Sequence, residues 1–208
     1  MVSGVKAATR WVTAHGAGHS QWYIERFRRM AAEGVDLAGE ARFLDAMLPC
    51  GSRILDAGCG PGRVGGQLAA RGHTVVGVDA DAALIEAAEV DHPGPRWLVA
   101  DLCELDLATA GEAAPFDAVI MAGNVLPFVA PGTEPLVLAR VTAHVADDGV
   151  VVAGFSLDRG YGLTELDAHA AAAGLDLEHR FATWDLRPFI TGGDYAVSVF
   201  RRPGSRSQ

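Results

Sequence analysis

Ile54-Leu55-Asp56-Ala57-Gly58-Cys59-Gly60-Pro61-Gly62 is the stretch whose reading decides the fold. Arg53 to Ala57 is a short, largely apolar run bounded by turn residues, the composition of a buried strand. Glycines at 58, 60 and 62 then permit a tight turn and let the backbone approach a ligand with no Cβ in the way. Pro61 suits the first turn of a helix, predicted from about Pro61 to Arg71, and Gly72 is its stop. A strand, a glycine turn and a helix in that order open a βαβ unit that binds a ligand at the turn.

Outward from this stretch the alternation continues. His73 to Val78 reads as a second strand, and Asp81 as the N-cap of a helix burying Leu84, Ile85 and Ala88. Arg96 to Val99 and Phe116 to Met121 are the third and fourth strands. Thr133 caps a helix running to about Val145, and an Asp147-Asp148-Gly149 turn delivers the fifth strand, Val150 to Phe155. Thr164 with Asp167 has the pattern of a capping box, and Gly174 ends that helix. Leu175 to Trp184 and Tyr195 to Phe200 are predicted to pair as an antiparallel hairpin across a short loop containing Gly192-Gly193. Before the first strand, Gln21 to Leu48 reads as helical with a break near Gly34. The expected fold is α/β: a Rossmann-like, seven-stranded, mostly parallel sheet with helices on both faces and a C-terminal antiparallel hairpin. Residues 1–50 would form a helical lid or cap, 51–202 the ligand-binding core, and 203–208 a disordered polar tail.

The chain has 208 residues, half of them hydrophobic, enough for one domain with a full core. A net charge of −9 argues against a nucleic-acid partner, which needs a dense basic face. Charges interrupt every apolar run, so no membrane span is expected, and Met1 to His15 lacks the apolar stretch of a signal peptide. The expected location is cytoplasmic. Cys50, Cys59 and Cys103 are an odd count without a CxxC pair, which predicts reduced thiols and no metal site.

Gly60-Pro61-Gly62-Arg63-Val64-Gly65 matches the GxGxxG pattern of dinucleotide sites, and Asp79 is spaced to meet a ribose. Two features oppose a dinucleotide. The pattern should begin directly after the strand, where Gly58 stands, and Asp56 would face a pyrophosphate. Asp56, Asp79 and Asp101, at successive strand ends, form an acidic crevice that favours a cation such as S-adenosylmethionine, with its sulfonium and ammonium.

Ile54 to Asp79 resembles motif I and the following acidic strand end of class I S-adenosylmethionine-dependent methyltransferases, and the likeness extends over the fold pattern from Arg53 to Arg201. The resemblance implies S-adenosylmethionine as cofactor and S-adenosylhomocysteine as product. It implies that Asp79, with Ala80 beside it, accepts from both ribose hydroxyls, and that Asp101 reads the adenine amine while Leu102 offers its backbone. The exit of the fourth strand, Ala122-Gly123-Asn124, would pass the methionine arm and methyl group. Asp56, or the backbone of Gly58 and Gly60, would hold the amino-acid end, with Cys59 and Arg63 in the same loop. Asp117 reads as a surface residue.

His19, Tyr23 and Arg26 fall on one helical face at i, i+4 and i+7, where they could grip the cofactor's carboxylate or a substrate anion. His19 and Tyr23 are the candidates for catalysis; His15 stands in a glycine-flanked loop. Asn124-Val125-Leu126-Pro127-Phe128 lacks the Asn/Asp-Pro-Pro-aromatic quartet of enzymes that methylate exocyclic or amide nitrogen. Its apolar rim suits a small, partly apolar acceptor, which the loop Asp185 to Asp194, with Arg187 and Phe189, could also reach. The expected reaction is in-line methyl transfer to a small molecule by a monomer or homodimer. An NAD-binding oxidoreductase, or a non-catalytic S-adenosylmethionine-binding module, are the alternatives; no Tyr-x-x-x-Lys pair supports the former.

Overall fold

Side chains alternate across a strand, so β1 (Arg53–Ala57) sends Ile54 and Asp56 to one face of its sheet and Leu55 and Ala57 to the other. Each face buries its own apolar layer. Ile54 belongs with Phe43, Leu44, Val64 and Leu68, whereas Leu55 belongs with Val76, Val119, Val137 and Leu138. This two-sided burial explains why the central strands read as nearly unbroken apolar runs.

The computed structural model describes residues 8–14, 16 and 18–204; His15 and the end of the predicted tail, 205–208, lie outside them. Among the described residues three helices precede β1: α1 (Arg10–Ala14), α2 (His19–Ala32) and α3 (Gly39–Asp45). The core continues with α4 (Arg63–Ala69), β2 (Thr74–Asp79), α5 (Ala82–Asp91), β3 (Arg96–Val99), β4 (Phe116–Ala122), α6 (Val125–Phe128) and α7 (Glu134–Ala143). It closes with β5 (Val145–Ser156), α8 (Leu163–Ala172), β6 (Asp176–Phe181) and β7 (Tyr195–Arg201). The seven strands lie in the order β3-β2-β1-β4-β5-β7-β6. Only β7 runs antiparallel to its neighbours β5 and β6. Strand order reverses between β1 and β4, the switch point at which such sheets open a crevice. Among the described residues no helix is long and apolar enough to cross a membrane.

The predicted break near Gly34 falls between α2 and α3, with Gly34 at φ 73°. Other local expectations are corrected. The Asp147-Asp148-Gly149 turn is a bulge inside β5: Val145 pairs with Phe116, the next pairs join Val150 to Ala118, and Asp148 takes φ 63°. Thr133 precedes α7 without capping it, because its hydroxyl donates to the Ala130 carbonyl at 2.7 Å. The capping role assigned to Thr164 and Asp167 falls instead to Glu165, whose carboxylate accepts from the Gly162 amide at 2.8 Å. Tyr161, buried against Phe155 and His169, brings the chain into α8 at Leu163, and Asp167 turns to pair with Arg180. The β6–β7 connection, residues 182–194, is longer than expected because Trp184 is drawn off the strand. A Cβ on Gly154 would stand 2.2 Å from its ring, and its indole N–H donates to the Tyr195 hydroxyl at 3.0 Å.

Candidate functional site

A cavity of about 370 Å³ opens at the carboxyl ends of β1, β2 and β4, where doubly wound sheets place their ligands. Its floor is the Gly58–Gly60 turn with Asp79, Asp101 and Gly123, and Trp11, Tyr23 and Phe27 border it from the N-terminal helices. The turn is held from below: the amides of Gly58 and Cys59 both donate to the Val78 carbonyl, at 2.8 and 3.0 Å. Gly58 has φ 78°, and a Cβ there would stand 2.6 Å from Val125 Cγ2 of α6. Gly58→Ala therefore combines left-handed strain with a clash, and a loss of about 1–3 kcal/mol in denaturant unfolding is expected. An unchanged midpoint would refute the contact.

Asp56 lies on the α4 face of β1. Its carboxylate, 1% exposed, accepts from the Gly65 amide in the first turn of α4 at 2.8 Å. Burial pushes its acid up to about 7, against the opposing pull of the Gly65 amide and the Arg63 charge. Asp56 borders the cavity as expected, while alternation along β1 turns its carboxylate toward α4 and the Gly65 amide. A dinucleotide would place phosphates on amides of this helix start, and Asp56 already occupies the Gly65 amide. An acid whose pKa is higher folded than unfolded keeps its proton in the fold, so the native state loses relative stability as pH rises between the two values. Asp56→Asn is accordingly expected to gain stability relative to wild type between pH 3.8 and about 7, and to gain no more above that. Melting curves across pH check this; a pH-independent difference would contradict it.

Asp79 ends β2 with both oxygens aligned by backbone. Oδ2 accepts from the Gly60 amide at 2.9 Å and Oδ1 from the Asp81 amide at 3.0 Å. Burial raises its pKa, and these amides oppose the rise. Asp81 caps α5 as predicted, accepting from the Ala83 amide at 3.0 Å. It also takes hydrogen bonds from Ser20 and from the Trp11 indole. Burial works to raise its pKa, but the bonds from Ser20, Trp11 and Ala83 outweigh that and lower it. Asp101 borders the cavity and caps a 3₁₀ turn, accepting from the Cys103 amide at 3.0 Å.

The remaining predicted residues divide. Gly60, Cys59, Ala80, Leu102, Ala122, Gly123 and Tyr23 all border the cavity. Arg63 does too, but its donors are committed: it pairs with Glu40 of α3, donates to the Leu37 carbonyl at 2.7 Å and lies 5.2 Å over Phe27. The helical face is turned differently from the expectation. Tyr23 and Phe27 look into the cavity; His19 packs on Trp11 and Trp22, and exposed Arg26 lies over Trp22 and Phe27. Asn124, at φ 70°, accepts from the Ser156 amide at 2.7 Å and is not part of the lining. Asp117 accepts from the Arg53 amide away from the cavity, as expected of a surface residue. The loop Asp185 to Asp194 contributes nothing to the lining, since it folds back on β6 through the Ala182 amide to the Arg187 carbonyl at 2.8 Å. Trp11, Val12 and Phe27 were missed; no periodic pattern marks a residue that joins the site from a five-residue helix such as α1. Among the described residues no three His, Cys, Asp or Glu side chains cluster to hold a metal.

A doubly wound sheet with a glycine turn and carboxylates at successive strand ends defines an adenosyl-ligand fold. The family model for a methyltransferase domain matches residues 54–149. A TehB-like S-adenosylmethionine-dependent methyltransferase from Corynebacterium glutamicum is 42% identical, with 90% of this chain and 100% of that one covered and a TM-score of 0.84. The CcbJ methyltransferase from Streptomyces caelestis shares the fold at 21% identity, 80% and 95% coverage and TM-score 0.70. The N-methyltransferase NodS from Bradyrhizobium japonicum, in complex with S-adenosylhomocysteine, shares it at 18% identity, 79% and 85% coverage and TM-score 0.63. Among curated proteins, none matches the chain. The chain belongs to the S-adenosylmethionine-dependent methyltransferases, which decides among the readings that the glycine pattern left open.

Proposed function

We propose that the chain methylates a small-molecule acceptor, with its cofactor held across the ends of β1, β2 and β4. The observation that carries this reading is the Asp79 carboxylate, bordering the cavity with one backbone amide fixed on each oxygen. Each oxygen keeps a further lone pair for a ribose hydroxyl. Asp101 and Leu102 would receive the adenine, and the backbone of Gly58 and Gly60 the amino-acid end. The glycine turn leaves room for close backbone approach: a Cβ on Gly60 would stand 3.7 Å from Tyr23 and on Gly123 4.0 Å from the Tyr23 hydroxyl. When bound, S-adenosylmethionine supplies a methyl group on a positively charged sulfur that leaves as a neutral thioether.

The chain's own task is then alignment and exclusion of water. Trp11, Tyr23 and Phe27 cover the cavity with ring surface. Burial, ahead of the opposing charges of Arg63 and Arg26, raises the Tyr23 pKa, so its phenol stays protonated and serves as a hydrogen-bonding guide rather than a base. The acceptor enters along Val12, Phe128 and Val129, an apolar rim that suits a small, partly apolar molecule. Cys50, Cys59 and Cys103 form no disulfide among the described residues, which suits a reducing compartment such as the cytoplasm. Incubation with methyl-labelled S-adenosylmethionine and fractionated small metabolites tests the reading. Label is expected in a low-molecular-weight fraction; label confined to macromolecules would overturn the acceptor class.

A further inference from the structure

The segment that covers the cavity is fastened on both sides by consecutive residues. On one side, Arg10 Nη1 donates to the Glu134 carboxylate at 2.7 Å and to the carbonyls of Pro127 and Val129 at 3.3 and 3.5 Å. Glu134 is only 5% exposed, so little water competes for this contact. α6 is one turn long, and the last carbonyls of a helix have no partner within it. Arg10 supplies donors to that end, and so fixes the turn that carries Phe128. On the other side, the Trp11 indole donates to Asp81 Oδ2 at 3.1 Å, with Ser20 on the same oxygen. Asp81 in turn gives its amide to Asp79. The Trp11 ring spans the gap, edge-on to Tyr23 at 5.2 Å and to Phe128 at 5.8 Å.

We propose that Arg10 is a positioning residue: it straps α1 to the acceptor wall, so contacts on the acceptor side set how long the cofactor stays at Asp79. This rests on reading the cavity as the cofactor site. A ligand on the Gly58–Gly60 turn leaves only after Trp11 lifts, and Trp11 lifts only when one of the two anchors lets go. Cutting either anchor frees the same strap. Two cuts therefore overlap instead of multiplying, which distinguishes a strap from two unrelated stabilising contacts.

The experiment follows release of radiolabelled S-adenosylhomocysteine from the full chain after a chase with unlabelled compound. Wild type is compared with Arg10→Gln, Trp11→Phe, the double variant and Arg10→Lys. Trp11→Phe removes the indole donor and keeps an aromatic ring, so the test survives if Arg10→Gln does not fold. Each cut is expected to speed release roughly tenfold, the loss of a hydrogen bond to a charged group. The double variant should release no more than about twice as fast as the faster single one. Arg10→Lys, whose ammonium reaches the same acceptors, should restore slow release. Lowered melting temperature with unchanged release, or effects that multiply in the double variant, would overturn the strap while leaving the cofactor site intact. A wild type that takes up no S-adenosylhomocysteine would overturn the site itself and the strap with it.

Discussion

Replacing Asp79 with alanine is expected to weaken S-adenosylhomocysteine binding by roughly 1.5–3 kcal/mol, a drop of about tenfold to a hundredfold or more. The size follows from the carboxylate's setting. Both of its oxygens are already aligned by the amides of Gly60 and Asp81, so little ordering remains when ribose hydroxyls arrive. Hydrogen bonds to a charged acceptor exceed the neutral kind. Alanine also strips the acceptor from two backbone amides, one of them in the glycine turn. Asp79→Asn separates the two effects: the amide keeps the shape and one oxygen, so its loss should be smaller. Calorimetry with the product measures both. Undiminished affinity in Asp79→Ala would remove this residue from the ribose.

The second large effect concerns the fold beneath the site. Arg63→Ala is expected to cost roughly 1–3 kcal/mol in chemical denaturation, because breaking a half-buried ion pair leaves the remaining charge without its hydrogen-bonding partner. The side chains of Arg63 and Glu40 are 17% and 16% exposed, and the arginine donates to Glu40 through both terminal nitrogens. Its removal leaves the Glu40 carboxylate and the Leu37 carbonyl without their donor and takes the cation off Phe27. Arg63→Met together with Glu40→Leu should recover much of the loss, since an apolar pair of similar volume avoids the desolvation penalty. A single-variant cost below about 1 kcal/mol would place the pair with ordinary surface salt bridges.

How much of this was legible in the chain depends on how local each cause is. The ends of the central strands were legible because both faces of the sheet are buried there, which makes those strands apolar runs with abrupt glycine or aspartate exits. That reading placed Asp79, Asp101 and Gly58 at one edge, where they border the cavity. Asp56 was visible in sequence but not in role: its residue type says acid, and only the parity of β1 says that it faces α4. Gly65 completed a GxGxxG pattern for a different reason from phosphate binding. A Cβ there would lie 2.9 Å from the Trp97 ring and 3.0 Å from the Asp56 carboxylate. Trp97 likewise forces Gly77, where a Cβ would come within 2.2 Å of the ring. The strap was illegible, since Arg10 meets Glu134, and Trp11 meets Asp81, across separations of 124 and 70 residues. No local pattern encodes such meetings. The cap of α8 failed in a smaller way: Glu165 and Thr164 are neighbours, and the buried Tyr161 stack chose the starting residue.

The central claim is that the crevice at the ends of β1, β2 and β4 selects a cationic adenosyl donor over a diphosphate-bearing nucleotide. Isothermal titration of the purified chain with S-adenosylmethionine and, separately, with NAD tests it most directly. One equivalent of S-adenosylmethionine bound, with no heat from NAD, is the predicted result. Uptake of NAD together with indifference to S-adenosylmethionine would contradict the account.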